Sequence, residues 1–467
     1  MTKDLIKAQQ SVSQHHNSIN EGVGFSRRQF FQLAGLGLTG FFFTPVACPL
    51  EVFAQSSAEL INTARYCIFI HLDGAPSHVD TFDLKEGSWT PGDFQPTTFG
   101  RIRWPKGLLP RLAEQLSDIS LVRSMSAWAL EHSLAQRWSQ IGRNPANVFS
   151  SVAPNIGAVV ALEYESRRTE SQKLPSFIAL NTNNVAEQGY FAPRFAPFKV
   201  TTAPEGLPGA AHPEGEERFL RRFQLLNSLD QEIRTNKVLG KEADAMIAAY
   251  QQARGLMYES DILKLFQYAG RDLVNYGNNP FGNACLVARN LINANLGTHF
   301  IQINLGGWDN HSGIYGSTGI YESAGLLDTG LGQLITDLNA LPSKTEKGKT
   351  LLDETLIVAM GEFGRTVGQL NNFSGRDHYL QMAALLVGGG VRGGRVIGAT
   401  DSLGARTVDP GWSRGVDIRP EDIFSTIYSA MGIDPNTIRT DDPLRQRFEY
   451  VPFARDGIYA PITELFS

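Results

Sequence analysis

Residues 355–378 read TLIVAMGEFGRTVGQLNNFSGRDH. Thr355 to Met360 is a short run of β-branched and large apolar residues, as in a strand buried on both faces of a parallel sheet. Gly361 ends the run and Glu362 follows at once. A carboxylate at the carboxyl end of a buried strand stands where open α/β sheets place their ligands. Arg365, Arg376, Asp377 and His378 follow within sixteen residues of Glu362. Acid, base, imidazole and glycine in one such loop suggest a site. The plainer alternative is a solvated loop after an ordinary strand.

Working outward, the same pattern recurs. Tyr66 to Leu72 is apolar but for His71, and Asp73-Gly74 follows. Phe300 to Leu305 precedes Gly306-Gly307-Trp308-Asp309-Asn310-His311. Strands are also expected at 119–122, 177–180 and 383–387, the last ending in three glycines. Helices are expected from about 133 to 142, and at 281–296, 319–341 and 420–431. Strands with acid-bearing loops alternating with helices predict an α/β fold, mostly parallel, with helices on both faces. Right-handed crossovers then put the strand carboxyl ends on one edge. Asp73, Asp309 and Glu362 would meet there and repel unless a cation or protons neutralise them. His311 and His378 add neutral nitrogen donors, and Asp377 a further carboxylate. Oxygen and nitrogen donors together fit Zn²⁺ or Mn²⁺. Arg365 or Arg376 could grip an anionic oxygen. The chemistry implied is metal-assisted attack on a phosphate-like or sulfate-like ester.

The chain has 467 residues, 42% hydrophobic and 19% charged, with a net charge of −5. This suits one large domain with a substantial core. No basic stripe with interleaved aromatics is present, which argues against nucleic acid as a partner. Ser26-Arg27-Arg28-Gln29-Phe30 before the apolar stretch 33–46 resembles a twin-arginine export signal. That stretch is too short for a stable transmembrane helix. Small residues at Val52 and Ala54 predict cleavage after Ala54, so the mature protein is expected to be periplasmic or secreted, with no membrane span. Cys48 follows Val46-Ala47, a poor lipobox because of Pro45. The expected division is an export signal and linker over 1–57 and a domain over 58–467. Mixed charged and apolar residues mark a helical insertion at about 204–275, with helices near 218–229 and 241–250. Cys67 and Cys285 read as buried small hydrophobes, and no structural disulfide is expected.

The motifs GGWDNHSG, MGEFGRT and GRDHY, with LDGAPSHVDTFDLK and the FGNACLVARNL helix, resemble a family of exported bacterial proteins called domain of unknown function 1501. The resemblance covers about 65–433. It implies kinship with the alkaline phosphatase-like superfamily of phosphatases and sulfatases, hence an alkaline phosphatase-like sandwich with two metals at the carboxyl edge of the sheet. On that kinship Asp73 resembles the first-strand ligand. Asp309 and His311 resemble the middle-strand pair, though set closer together than is usual. His378 resembles the last histidine. The superfamily's Asp-His dipeptide falls on Glu362-Phe363, and Phe363 cannot ligate. His132 stands ten residues before Gly142-Arg143, where sulfatases carry their nucleophile, and could be a ligand, a base or a covalent nucleophile; Ser133 is adjacent. Two functions are therefore expected. One is an exported metal-dependent hydrolase of anionic phosphate or sulfate esters, with His132 or Ser133 in the attack. The other is a non-catalytic binding or assembly protein on the same scaffold, with a partner outside the cytoplasm.

Overall fold

The apolar runs form an eight-stranded sheet. In chain order its strands are β1 (Tyr66–His71), β2 (Ile119–Ser126), β3 (Phe177–Leu180), β4 (Phe198–Val200), β5 (Phe300–Asn304), β6 (Thr355–Met360), β7 (Gln381–Val387) and β8 (Arg395–Ile397). The spatial order is β8-β2-β7-β6-β1-β5-β3-β4. Only β7 runs against its neighbours; every other pairing is parallel. Because β7 is reversed, its beginning lies at the edge where the others end. Gln381, and His378 just before it, therefore join that edge, while the three glycines after β7 lie at the opposite one. In the computed structural model the described residues are 60–182, 184–207, 209–211, 213–236, 254 and 256–467. The expected export segment, Cys48 and the helix expected over 241–250 lie outside them.

Helices cover both faces. Ile68 and Ile70 of β1 pack with α4 (Pro280–Ala294) and α5 (Ile320–Ala340). Cys67 and Phe69 point the other way, into a core shared with α1 (His132–Ile141), α2 (Ile156–Glu165) and α6 (Pro420–Ala430). Alternation of side chains along a strand gives each face its own core. Cys67 and Cys285 belong to these two different cores, so the sheet separates their sulfurs. Among the described residues of 204–275 are α3 (Glu216–Asn236) and short helices at Ser260–Phe266 and Arg271–Asn275. No helix among the described residues is long and apolar enough to cross a membrane.

Register sets the site. His71 is opposite Met360 on one side and Asn304 on the other, so β1, β5 and β6 end in one row. The loops after that row carry Asp73, Asp309 and Glu362.

Candidate metal centre

Three loops and the head of α1 converge at this edge. Gly74 allows the first two loops to touch. Its φ is +99°, and a Cβ there would stand 2.6 Å from the Asp309 nitrogen. Gly375 does the same for the loop before β7, where a Cβ would lie 2.1 Å from the His311 backbone. Gly364–Arg365 pairs with His378–Tyr379 in a two-residue antiparallel ladder that sets His378 opposite Arg365. Beyond the ladder, Arg376 is fully buried against Asp80, with Nε donating at 2.7 Å to Oδ2.

The side chains of His132, Asp309, His311 and His378 form one cluster, with a ligand atom of each within 4.8 Å of the others. Asp309 Oδ1 lies 3.3 Å from His132 Nε2, 3.2 Å from His311 Nε2 and 3.9 Å from His378 Nε2. The last two nitrogens are 2.8 Å apart. Each imidazole is oriented from behind. His132 Nδ1 donates to Glu362 Oε1 at 2.7 Å, His311 Nδ1 to Asp377 Oδ1 at 2.8 Å, and His378 Nδ1 to the Leu130 carbonyl at 2.6 Å. Ionised carboxylates and carbonyls only accept, so each Nδ1 carries the hydrogen, and a neutral ring then presents a bare Nε2. Three lone pairs and a carboxylate oxygen thus face one point. His132 Nε2 is buried there without a hydrogen-bond partner. A tetrahedral Zn²⁺ with bonds of about 2.0–2.1 Å sets its ligand atoms about 3.3 Å apart. The donor set and spacing fit such an ion, and the outer hydrogen bonds are those that metal-binding histidines make.

The surroundings shift these groups in different directions. The Glu362 hydrogen bond raises the pKa of His132 against the opposing effect of burial. Burial opposes the charge on Asp309, but the Arg365 guanidinium, donating at 2.5 Å, holds the carboxyl below its ordinary range. Burial leads the lowering of His378, which favours its neutral, ligating form. The Asp309 and His311 side chains are 49% and 43% exposed, so the cluster opens to solvent.

Other expected residues lie outside the cluster. Asp73 is held by His71 Nδ1 and by Asn304 Nδ2, the latter at 2.9 Å. Glu362 accepts from Gly74 N at 3.0 Å as well as from His132. Among the described residues these two carboxylates do not gather a second set of three donors. Asp377 stands behind His311 rather than beside it. Ser133 lies in the first turn of α1, its Oγ donating at 2.8 Å to the carboxylate of Glu131, which caps the helix. Phe363 is buried against the rings of His132 and His378, at 4.8 and 4.6 Å.

Neither arginine is placed to hold an anion. Arg365 is 1% exposed, and its five hydrogens go to Ala75 O, Gly74 O, Asp309, Arg376 O and His311 Nε2. Arg376 donates to Asp80, Tyr315 and the carbonyls of Thr366 and Gly368. Both guanidiniums tie loops together. His71 and Asp80, which carry the Asp73 and Arg376 contacts, were not among the expected site residues; the one available signal for Asp80 is that a buried arginine needs an anion.

Fold and site define an α/β protein with a three-histidine, one-carboxylate cluster at the carboxyl edge of its sheet. The chain belongs to the family described as "Protein of unknown function (DUF1501)", whose model matches residues 64–447. Among solved structures it is similar to a protein in the alkaline phosphatase superfamily from Vibrio parahaemolyticus, at 11% identity and TM-score 0.35, over 79% of this chain and 67% of that one. A putative sulfatase from Bacteroides thetaiotaomicron matches at 10% identity and TM-score 0.38, over 84% and 75%. A phosphonate monoester hydrolase from Silicibacter pomeroyi matches at 11% and 0.35, over 85% and 77%. A comparison with curated proteins found no match.

Proposed function

We propose that this protein is an exported hydrolase of phosphate or sulfate esters that depends on one divalent cation. One observation carries the reading: three imidazoles, each with its Nδ1 hydrogen fixed outward, turn bare Nε2 atoms toward Asp309 Oδ1. His132, Asp309, His311 and His378 would hold the ion, and the spacing favours Zn²⁺ over Mn²⁺. When bound, such an ion polarises an anionic ester and lowers the pKa of water. Glu362 fixes the His132 tautomer, and Arg365 balances the Asp309 charge. With Arg365 and Arg376 both occupied, the positive charge facing a substrate would come from the ion. Export rests on the Ser26-Arg27-Arg28 motif. The test is an assay of aryl phosphates, phosphonates and sulfates with metal-stripped and reloaded protein. Turnover is expected only after reloading, and only with His132 intact. Equal turnover in stripped and reloaded protein would overturn the reading.

A second reading, a binding or assembly protein with a structural cation, is favoured by a specific feature. Four protein donors already complete a tetrahedron, the pattern of structural zinc sites, and the Ser133 hydroxyl is tied to Glu131. Tight metal binding without turnover on any ester, together with a stable partner outside the cytoplasm, would select it.

A further inference from the structure

Four residues before His132, the chain enters a second concavity. Extended chain spans at most about 3.6 Å per residue, so the Cα atoms of Trp128 and His132 lie within about 14 Å. The cavity measures about 410 Å³, within the range of small-molecule sites. Five aromatic side chains line it: Trp128, Trp138, Phe149, Phe453 and Tyr459. Trp128 and Trp138 stack with centroids 6.1 Å apart and planes 19° from parallel. One carboxylate fixes both. Trp138 Nε1 donates to Glu421 Oε1 at 2.7 Å, and Trp128 Nε1 to Oε2 at 3.0 Å. The Arg419 guanidinium lies 4.0 Å over the Trp128 ring. Even so, Trp128 is 43% exposed and Phe453 53% exposed. Trp128 is thus a large aromatic surface fixed in place yet open to water.

Two lining residues have a strained backbone. Arg447 and Phe453, both lining the cavity, have φ of +65° and +58°, where non-glycine residues rarely sit. Side chains hold them there. The Asp442 carboxylate accepts from Arg447 N at 2.9 Å, and Glu449 Oε2 accepts from Phe453 N at 2.8 Å. Arg143, also in the lining, is 6% exposed, its guanidinium 4.0 Å over the Phe448 ring. It donates to the Glu449 carbonyl, but its Nε is buried with no partner. A buried guanidinium with an unmet donor is a costly feature unless something else supplies the acceptor. Burial pushes its pKa down to about 10, which still leaves it charged at neutral pH.

We propose that this cavity binds a six-membered ring carrying an anionic substituent, the ring lying against Trp128 and Phe453 and the anion against Arg143 and Arg447. Aromatic faces suit either a sugar ring or an aryl ring, and two guanidiniums suit a sulfate, phosphate or carboxylate group. The site stands independently of hydrolysis at the histidine cluster.

The test is titration calorimetry on purified, chelator-treated protein, so that no cation at the cluster supplies the anion contact. The probes are glucose 6-sulfate and 4-hydroxybenzenesulfonate, with glucose and phenol as neutral counterparts. Saturable binding is expected for at least one anionic probe. It should weaken about tenfold or more for the neutral counterpart and in Arg447→Ala, the equivalent of one charge-assisted hydrogen bond. Trp128→Leu should weaken it as well. Both variants change exposed side chains, so they test the cavity even if Arg143→Leu does not fold. Binding of the sugar sulfate alone would identify a glycan source, and of the sulfonate alone an aryl source. No saturable binding of either anionic probe, or affinity unchanged in both variants, would overturn the proposal.

Discussion

His132 shows how one residue's role depends on a distant partner. Its ring is fixed by Glu362, 230 positions away in the sequence. Replacing Glu362 with glutamine leaves the size nearly unchanged but removes the charge that fixes the Nδ1 hydrogen. Outer partners of this kind contribute about 10–100-fold to metal affinity. Glu362→Gln is therefore expected to weaken cation binding by that factor while keeping the fold, as measured by competition with a chromophoric chelator. Asp309, His311 and His378 were legible in the sequence because donor residue types follow apolar runs. The His132–Glu362 pairing was not, since nothing local marks it. Arg365 and Arg376 were visible as cations, but sequence alone does not say whether a buried guanidinium faces a ligand or the protein's own carbonyls.

At the scale of elements, the loop carrying His378 depends on Asp80. Removing one partner of a buried ion pair costs about 3–5 kcal/mol. Asp80→Ala is expected to lose that much in chemical denaturation, and to bind cation more weakly because Arg376 no longer anchors the loop. The head of α6 gives a pH prediction. Burial pushes the Asp422 carboxyl up to about 7, against an ordinary value near 3.9. Between about pH 4 and pH 7 the folded chain therefore holds a proton that the unfolded chain has lost. This group's contribution to stability falls as pH rises through that window and stays low above it. Asp422→Asn removes the effect, so the denaturation midpoint of the variant minus that of wild type should rise between pH 4 and pH 7. A flat difference would contradict the assignment. Strand β4 escaped sequence reading because Phe198-Lys199-Val200 is short and interrupted by a charge. The apolar run of β7 was legible, but its direction was not, because a doubly buried strand carries no polarity signal.

Across the whole molecule, the reversed β7 and the level ends of β1, β5 and β6 bring three loops to one edge, beside the head of α1. The α/β class with helices on both faces followed from continuous apolar runs alternating with helical spacing. The site was legible only as donor types near strand ends. The superfamily resemblance implied a second metal as well, with Asp73 and Glu362 as its remaining ligands. In the structure both carboxylates instead support neighbours, through His71 and Asn304 in one case and His132 and Gly74 in the other. The proposed function thus needs one cation, held by His132, Asp309, His311 and His378. The most direct test is elemental analysis of zinc-loaded, gel-filtered protein, for wild type, His378→Ala and Asp73→Asn. About one equivalent is expected in wild type and in Asp73→Asn, and its loss in His378→Ala. No bound metal in wild type, or two equivalents with one lost in Asp73→Asn, would contradict it.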